Sequence, residues 1–260
     1  MDALWIAKTG LDAQQTRMSM VSNNLANVNT MGFKRDRAVF EDLLYQNISQ
    51  TGAATSEDTQ DPSGLNVGTG VRIVATEKNF LQGTIVETGN PLDVLVEGRG
   101  FFQILLPDGG QAYTRNGSFK IDSDGRVVTA NGYELQPALS IPDGVESVTV
   151  AADGTVQAKL PGQTDLATLG SIQIADFINP AGLQPRGQNL YLESAASGTP
   201  QLGTPGLDGL GSLVQGSLEG SNVNVVEELV NMIQTQRAYE MNSKAIATGD
   251  QMLQYLNNNL

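Results

Sequence analysis

Apolar residues recur near both ends of the chain at a spacing that belongs to helices. At the amino end they fall at Leu4, Ala7, Leu11, Met18, Val21, Leu25 and Val28, an alternation of three and four broken at Gln14. Such a stripe predicts a coiled-coil helix over residues 1–30. At the carboxy end Val225, Met232, Tyr239, Ile246, Leu253 and Leu260 stand seven apart, Leu229 takes the alternate position, and no proline interrupts residues 222–260. This predicts a second long helix, capped by Asn222 or Asn224, with Glu227 and Glu228 in the first turn where the helix dipole favours carboxylates.

Between the ends the period changes to two. Asp93 to Val96, Gly100 to Leu106, Gln111 to Thr114, Gly117 to Ile121 and Arg126 to Thr129 read as short strands. Asp108-Gly109, Asp124-Gly125, Asn131-Gly132 and Asp153-Gly154 punctuate them as hairpin turn pairs. The expected fold is therefore α+β: two long terminal helices forming a coiled coil, with an all-β domain over residues 76–195 inserted between them. A Gly/Pro/Ser-rich connector over 196–221 returns the chain to the second helix at 222–260. Residues 31–75 form a junction in which Gly32 to Leu44 is extended or helical, while Gln46 to Gly64 has one apolar residue larger than Ala and reads as a flexible loop.

Two helices of this length bury little when paired only with each other. Ordering them costs about as much as a single seam returns, so they become firm when neighbours cover their other faces. The candidate assembly seam is Leu4, Leu11, Met18, Leu25, Val225, Leu229, Met232, Tyr239, Ile246, Leu253 and Leu260. Trp5, Ile6, Met20, Val226, Val230, Ile233 and Met252 lie outside it and are available to neighbours. The plainer alternative is an antiparallel hairpin docked on the β domain.

Composition narrows the chemistry. The 260 residues contain no His and no Cys, which removes Ser-His-Asp and Cys-His triads, imidazole and thiolate metal sites and disulfides. The net charge is −13, so there is no basic footprint for nucleic acid. Five basic and three acidic residues give the first forty positions +2, leaving −15 to the rest. Met1 to Thr9 lacks the basic start and apolar run of a secretory signal, and no apolar stretch is long enough to span a membrane.

The motifs that suggest ligands are weak. Asp122-Ser123-Asp124-Gly125 begins like a calcium loop but lacks the closing acidic residue, and reads as a hairpin turn. Gly98-Arg99-Gly100 lacks the third glycine of a dinucleotide fingerprint, and the glycines from Gly206 to Gly211 lack the Lys-Ser/Thr end of a phosphate loop. Asp93, Glu97, Asp122 and Asp124 are the carboxylates an acidic glycan-cleaving enzyme would use, yet no aromatic sugar platform accompanies them. No catalytic, cofactor-binding or metal residue is assigned.

Two longer segments are specific. Ser22-Asn23-Asn24-Leu25-Ala26-Asn27-Val28-Asn29-Thr30-Met31-Gly32-Phe33-Lys34-Arg35 resembles the amino-terminal signature of bacterial flagellar rod and hook proteins. Asn222-Val223-Asn224-Val225-Val226-Glu227-Glu228-Leu229-Val230, continuing through Gln236-Arg237-Ala238-Tyr239-Glu240, resembles their carboxy-terminal signature. The opening Leu4 to Leu11, Gly100-Phe101-Phe102-Gln103 and Tyr113 to Phe119 extend the likeness over essentially the whole chain. Asn23, Asn24, Asn27, Gly32, Phe33, Asn222, Asn224, Glu227 and Arg237 are the signature residues singled out. Asn side chains bond free backbone groups where the first helix ends, and Gly32 permits the exit from it.

The resemblance implies a non-enzymatic axial protein, exported through the flagellar secretion apparatus without a cleaved signal. Such a protein stacks helically with its own copies into a hollow drive shaft that crosses the periplasm between proximal rod and hook. It further implies an inner coiled-coil layer, an outer β layer facing the surrounding periplasmic and outer-membrane rings, and no cofactor. Rod-type members differ from hook-type members by an extra stretch after the first signature. Gln46 to Ser63 occupies that place, and the resemblance gives it the role of stiffening the shaft.

Overall fold

The computed structural model describes residues 2–49, 54–56, 59–60, 63–162 and 166–258. It divides the chain into two compact units: Met1–Ala26, Asp36–Glu77 and Asn224–Leu260 form one, Asn27–Arg35 and Lys78–Val223 the other.

The first unit is built on helices α1, Asp2–Ala26, and α2, Val225–Asn258. Asn224 caps α2 by accepting the amides of Val226 and Glu227 on its Oδ1, at 3.0 and 3.4 Å. The helices pack on each other, and the contacts run antiparallel: Leu4 approaches Gly249, Gly10 meets Asn242, and Arg17 bonds Asn231. Among the described residues no helix is long and apolar enough to cross a membrane.

The stretch from Gly32 to Leu44 is resolved in favour of extended chain. Asp36–Asp42 pairs with Val71–Lys78, and cross-strand ion pairs Arg37–Glu77 at 2.9 Å and Glu41–Arg72 at 2.7 Å flank that ladder. These pairs are exposed and select register more than they add stability. Tyr45–Ser49 then pairs antiparallel with Leu65–Gly68, and Ala54–Ser56 with Thr59–Gln60. Gln46 to Ser49 is thus strand rather than loop; residues 50–53, 57–58 and 61–62 of the polar stretch lie outside the described residues.

Among the described residues the second unit is all β apart from one short 3-10 turn at Pro180–Gly182. Its main sheet has nine strands, with Phe101–Leu105 near the middle, hydrogen-bonded to Gln111–Thr114, Glu134–Gln136 and Ile174–Asp176. Alternation along Phe101–Leu105 sends Phe102 and Ile104 into the larger core, with Val94, Phe119, Leu135 and Ile174. Phe101 enters a second, aromatic cluster with Tyr113, Phe177 and Tyr191, where rings meet edge to face. The turn pairs sit where the pattern put them: Gly109, Gly125, Gly132 and Gly154 have φ of 79°, 77°, 80° and 85°.

The passage from 196 to 221 carries more structure than a connector. Gln201–Gly203, Ser212–Gln215 and Ser217–Glu219 are strands that pair with Ile174–Asp176, Val94–Glu97 and Ile85–Glu87. Each is only three or four residues long, so its period is too short to read locally.

Candidate assembly surface

The two helices meet through glycines and polar residues as well as through Leu4 of the apolar stripe. On α1, contacts to α2 fall at Leu4 and at Gly10, Arg17 and Asn24, the last three seven apart. On α2 they fall at Glu228, Asn242 and Gly249, to which the fully buried Thr235 supplies the missing seventh position, with Asn231 in the alternate place. Small residues let the backbones approach: a Cβ on Gly10 would lie 2.8 Å from Asn242 Nδ2, and one on Gly249 would lie 2.8 Å from Leu4 Cδ2. Each helix thus offers a glycine hole to a larger side chain of the other, and polar contacts, Arg17–Asn231 and Asn24–Glu228 at 3.5 Å each, fill the rest. Gln14, which broke the apolar stripe, has its Oε1 enclosed and unpartnered.

The apolar heptad lies to one side of the glycine and polar positions. Val225, Met232, Tyr239, Ile246 and Leu253 run three residues ahead of Glu228, Thr235, Asn242 and Gly249, which rotates them by about 60° on a helix of 3.6 residues per turn. Leu229 and Leu253 remain 43% and 46% exposed, Tyr239 and Val225 are exposed too, and Met232 and Ile246 are half-buried. On α1, Leu4, Leu11, Met18 and Leu25 are all half-buried. Trp5, Val226, Val230, Ile233 and Met252 are exposed, as is Ile6, while Met20 is half-buried. Leu260 lies outside the described residues. Exposed apolar residues thus stand on both helices.

The signature segments supply the joints. Asn24, 2% exposed, donates from Nδ2 to the Asp36 carbonyl and accepts the Asp36 amide on Oδ1. Asn23 is exposed on the same helix. In the second unit Asn27 accepts the Thr30 amide on its carbonyl and the Thr30 hydroxyl on Oδ1. Gly32 follows at φ 71°, and a Cβ there would stand 2.8 Å from the Arg115 carbonyl carbon and the Asn116 nitrogen. Only glycine satisfies both demands. Phe33 is buried beneath the Lys78 ammonium, 5.1 Å from its ring centre. Asn222 accepts the Arg35 amide at 2.7 Å and donates to the carbonyls of Asn79 and Leu81, so of the two cap candidates it ties strands while Asn224 caps the helix. Glu227 and Arg237 are exposed on α2, and Glu228 is buried against Asn24.

One cluster escaped the sequence reading. Lys34, Arg115 and Glu219 are 0%, 4% and 2% exposed. Glu219 accepts Lys34 Nζ at 2.6 Å and the Gly83 amide at 2.8 Å on Oε1, and Arg115 Nε at 2.8 Å on Oε2. Burial pushes the Lys34 ammonium down to about 8 despite the opposing pull of Glu219. Burial alone would raise the Glu219 carboxyl, but Arg115, Lys34 and the Gly83 amide outweigh it and hold it low. The only local hint was a charged residue between Leu218 and Gly220 in a passage poor in charge.

Three of the four carboxylates considered for glycan cleavage are tied to neighbouring side chains. Asp93 is buried and receives the Thr88 hydroxyl at 2.6 Å and the Asn90 amide at 3.1 Å. Asp122 and Asp124 pair with Arg126 at 3.5 and 2.8 Å across a hairpin turn, and Glu97 is exposed.

A helix pair presenting exposed apolar residues is the form of a structural subunit, and the comparisons with known families agree. Residues 4–34 match the family described as flagella basal body rod protein, 95–158 the flagellar hook protein FlgE/F/G D1 domain, and 214–259 the flagellar basal body rod FlgEFG protein C-terminal family. Whole-chain relatives narrow this class. The chain is 56% identical over 254 residues to a flagellar basal-body rod protein FlgG of Buchnera aphidicola subsp. Schizaphis graminum, covering 98% of each. It is 49% identical to the FlgG of Borreliella burgdorferi, over 99% of this chain and 98% of the relative, and 36% identical to that of Bacillus subtilis, over 98% of each. The chain belongs to the FlgG family of flagellar basal-body rod proteins, and its role is that of a structural rod subunit.

Proposed function

We propose that the chain is a subunit of the distal rod, polymerising helically with its own copies into a hollow shaft that carries torque across the periplasm toward the hook. The observation that carries this reading is the division of labour on the helix pair. Glycines and polar residues such as Gly10, Arg17, Asn24, Asn242 and Gly249 stand between α1 and α2, while Leu229, Ile233, Tyr239, Leu253 and Trp5 are left exposed. Covering side chains of this size with apolar surface is favourable, and a helical stack of identical hairpins does so at every position. The apolar heptad is the assembly seam in this reading, acting between chains. Proximal rod proteins and the hook protein cap the two ends of the stack, ring proteins surround the β units, and the flagellar export apparatus delivers the chain. The work is mechanical and requires no catalysis, cofactor or nucleic acid.

Leu229→Asp and Leu253→Asp test it. Both positions are already open to water, so a carboxylate leaves the single chain intact but places an uncompensated charge in an apolar interface. The expected result is unchanged circular dichroism, no rods in isolated basal bodies and no swimming. Normal rods in both variants would overturn the assignment.

A further inference from the structure

Lys34, Arg115 and Glu219 come one from each of the three segments matched by the rod and hook families, 4–34, 95–158 and 214–259. Lys34 and Glu219 are separated by 185 residues, Arg115 and Glu219 by 104, and all three meet in one buried knot of the second unit. Glu219 also acts through its backbone, whose carbonyl takes the Gly32 amide at 2.6 Å. The turn at 32–34 is therefore seated on Glu219 twice, by side chain and by main chain.

The charges do not balance. Two cations share one carboxylate, so the contributions of the three residues are unequal. Without Lys34, Glu219 and Arg115 remain a neutral pair, and the Leu81 carbonyl that Lys34 bonds at 2.7 Å keeps the Asn222 amide at 3.0 Å. Without the Glu219 charge, two buried cations face each other with no counter-ion. A lone buried charge is among the costliest defects a fold can carry.

We propose that Glu219 is the positioning residue for the amino-terminal signature segment 27–35, and that Lys34 makes the docking of that segment conditional on it. A chain in which Glu219 is missing or has not yet arrived buries an unpaired ammonium if the segment docks, so the segment stays undocked until the carboxy-terminal segment is in place. The device reads the completeness of the chain: Lys34 adds little to the finished unit and penalises the unfinished one. What docking serves, presenting a subunit ready to assemble, rests on the rod-subunit reading above.

Hydrogen exchange of segment 27–35 in the full-length protein, followed by mass spectrometry, tests the proposal. Glu219→Gln is expected to lower protection of that segment by about 100-fold or more while the strand Phe101–Leu105 stays protected. Lys34→Met is expected to keep or raise it, and Lys34→Met combined with Glu219→Gln to lose less than Glu219→Gln alone. This reversal separates conditional docking from ordinary packing, in which both single changes weaken the segment and their losses add. Full protection in Glu219→Gln, or equal losses in the two single variants, would overturn the proposal. Swimming of strains carrying each variant reports separately on the rod reading. Lost protection with normal swimming supports the dependence on Glu219 and counts against the need for a docked segment in assembly.

Discussion

Asn24 holds Asp36 as one strand residue holds another. Its side-chain amide donates to the Asp36 carbonyl at 3.0 Å and its oxygen accepts the Asp36 amide at 2.9 Å. An Asn side chain carries the same donor and acceptor as a peptide group, so a helix residue closes a short ladder with the strand that follows the turn. The same nitrogen lies 3.5 Å from Glu228 Oε1, which brings the start of α2 to the same point.

Asn24→Ala should therefore be disproportionately harmful for a surface-sized change. It leaves the Asp36 amide and carbonyl without their partner in a part-buried place, at a cost of about 1–3 kcal/mol for each group left unsatisfied. Faster exchange of the Asp36 amide together with weakened swimming is the expected outcome. Asn24→Asp should be at least as harmful, because a carboxylate cannot donate to the carbonyl and repels Glu228. An unchanged Asp36 exchange rate in Asn24→Ala would remove this joint from the account.

The Lys34 ammonium gives the second unit a pH signature. In the fold it titrates near about 8, against 10.5 ordinarily, with Glu219 and Arg115 facing it and Lys78 on its carbonyl. Between those values the unfolded chain holds a proton that the folded chain has released, so stability rises with pH across that window and the burial penalty stands in full below it. The rise is at most about 3 kcal/mol. Tyr113 bears in the opposite direction above pH 10, since burial, followed by Glu193, raises its phenol to about 12 and the folded chain then holds the extra proton. Urea denaturation from about pH 7 to about pH 10 should show a stabilisation in the natural chain that Lys34→Met lacks. Parallel pH profiles for the two proteins would contradict it.

The glycine holes between α1 and α2 predict a rescue. Gly249→Leu puts a side chain where Leu4 already sits, and Gly10→Leu does the same against Asn242. Either change should force the helices apart or out of register and abolish swimming. Leu4→Gly with Gly249→Leu moves the knob to the other helix and should recover much of what Gly249→Leu loses. Motility plates with these three strains are sufficient, and an absence of recovery would mean that the register is held elsewhere.

The polar stretch from Gln46 to Ser63 carries the prediction about stiffness. In the rod proposed above, the expectation is that it wedges between neighbouring subunits and adds polar contacts, each worth about 0.5–1.5 kcal/mol, that sliding would break at every repeat. Its removal should leave export and polymerisation intact and yield rods that curve. Electron micrographs of basal bodies decide between this and a passive surface role, in which the rods stay straight.

Much of the architecture is written in local pattern. The sevenfold spacing placed both helices, and α1 ends at Ala26, two residues short of the last stripe member Val28. The Asp-Gly and Asn-Gly pairs placed the hairpins, since a turn with positive φ admits few residue types. The cap of α2 could be narrowed to Asn222 or Asn224, with Glu227 and Glu228 in the first turn, because capping is settled within a few residues, and the structure uses Asn224. The strands of 201–219 were not legible, because their partners lie at Ile85–Glu87, Val94–Glu97 and Ile174–Asp176, far away in the chain.

By itself the sequence determined which residues share a face, where the helices begin and turn, and, through its two signatures, the family. Only the tertiary structure decided which face is used. Periodicity is blind to direction: Val225 and Leu253 repeat as well as Glu228 and Gly249 do, and the helices meet at Gly10 and Gly249, where the missing side chain leaves room for Asn242 and Leu4 of the opposite helix. Nor does any local rule connect Lys34 to Glu219 across 185 residues. Their meeting follows from the sheet that brings residue 219 beside the turn at Gly32, and a charge is tolerated in that interior only because the opposite charge arrives with it.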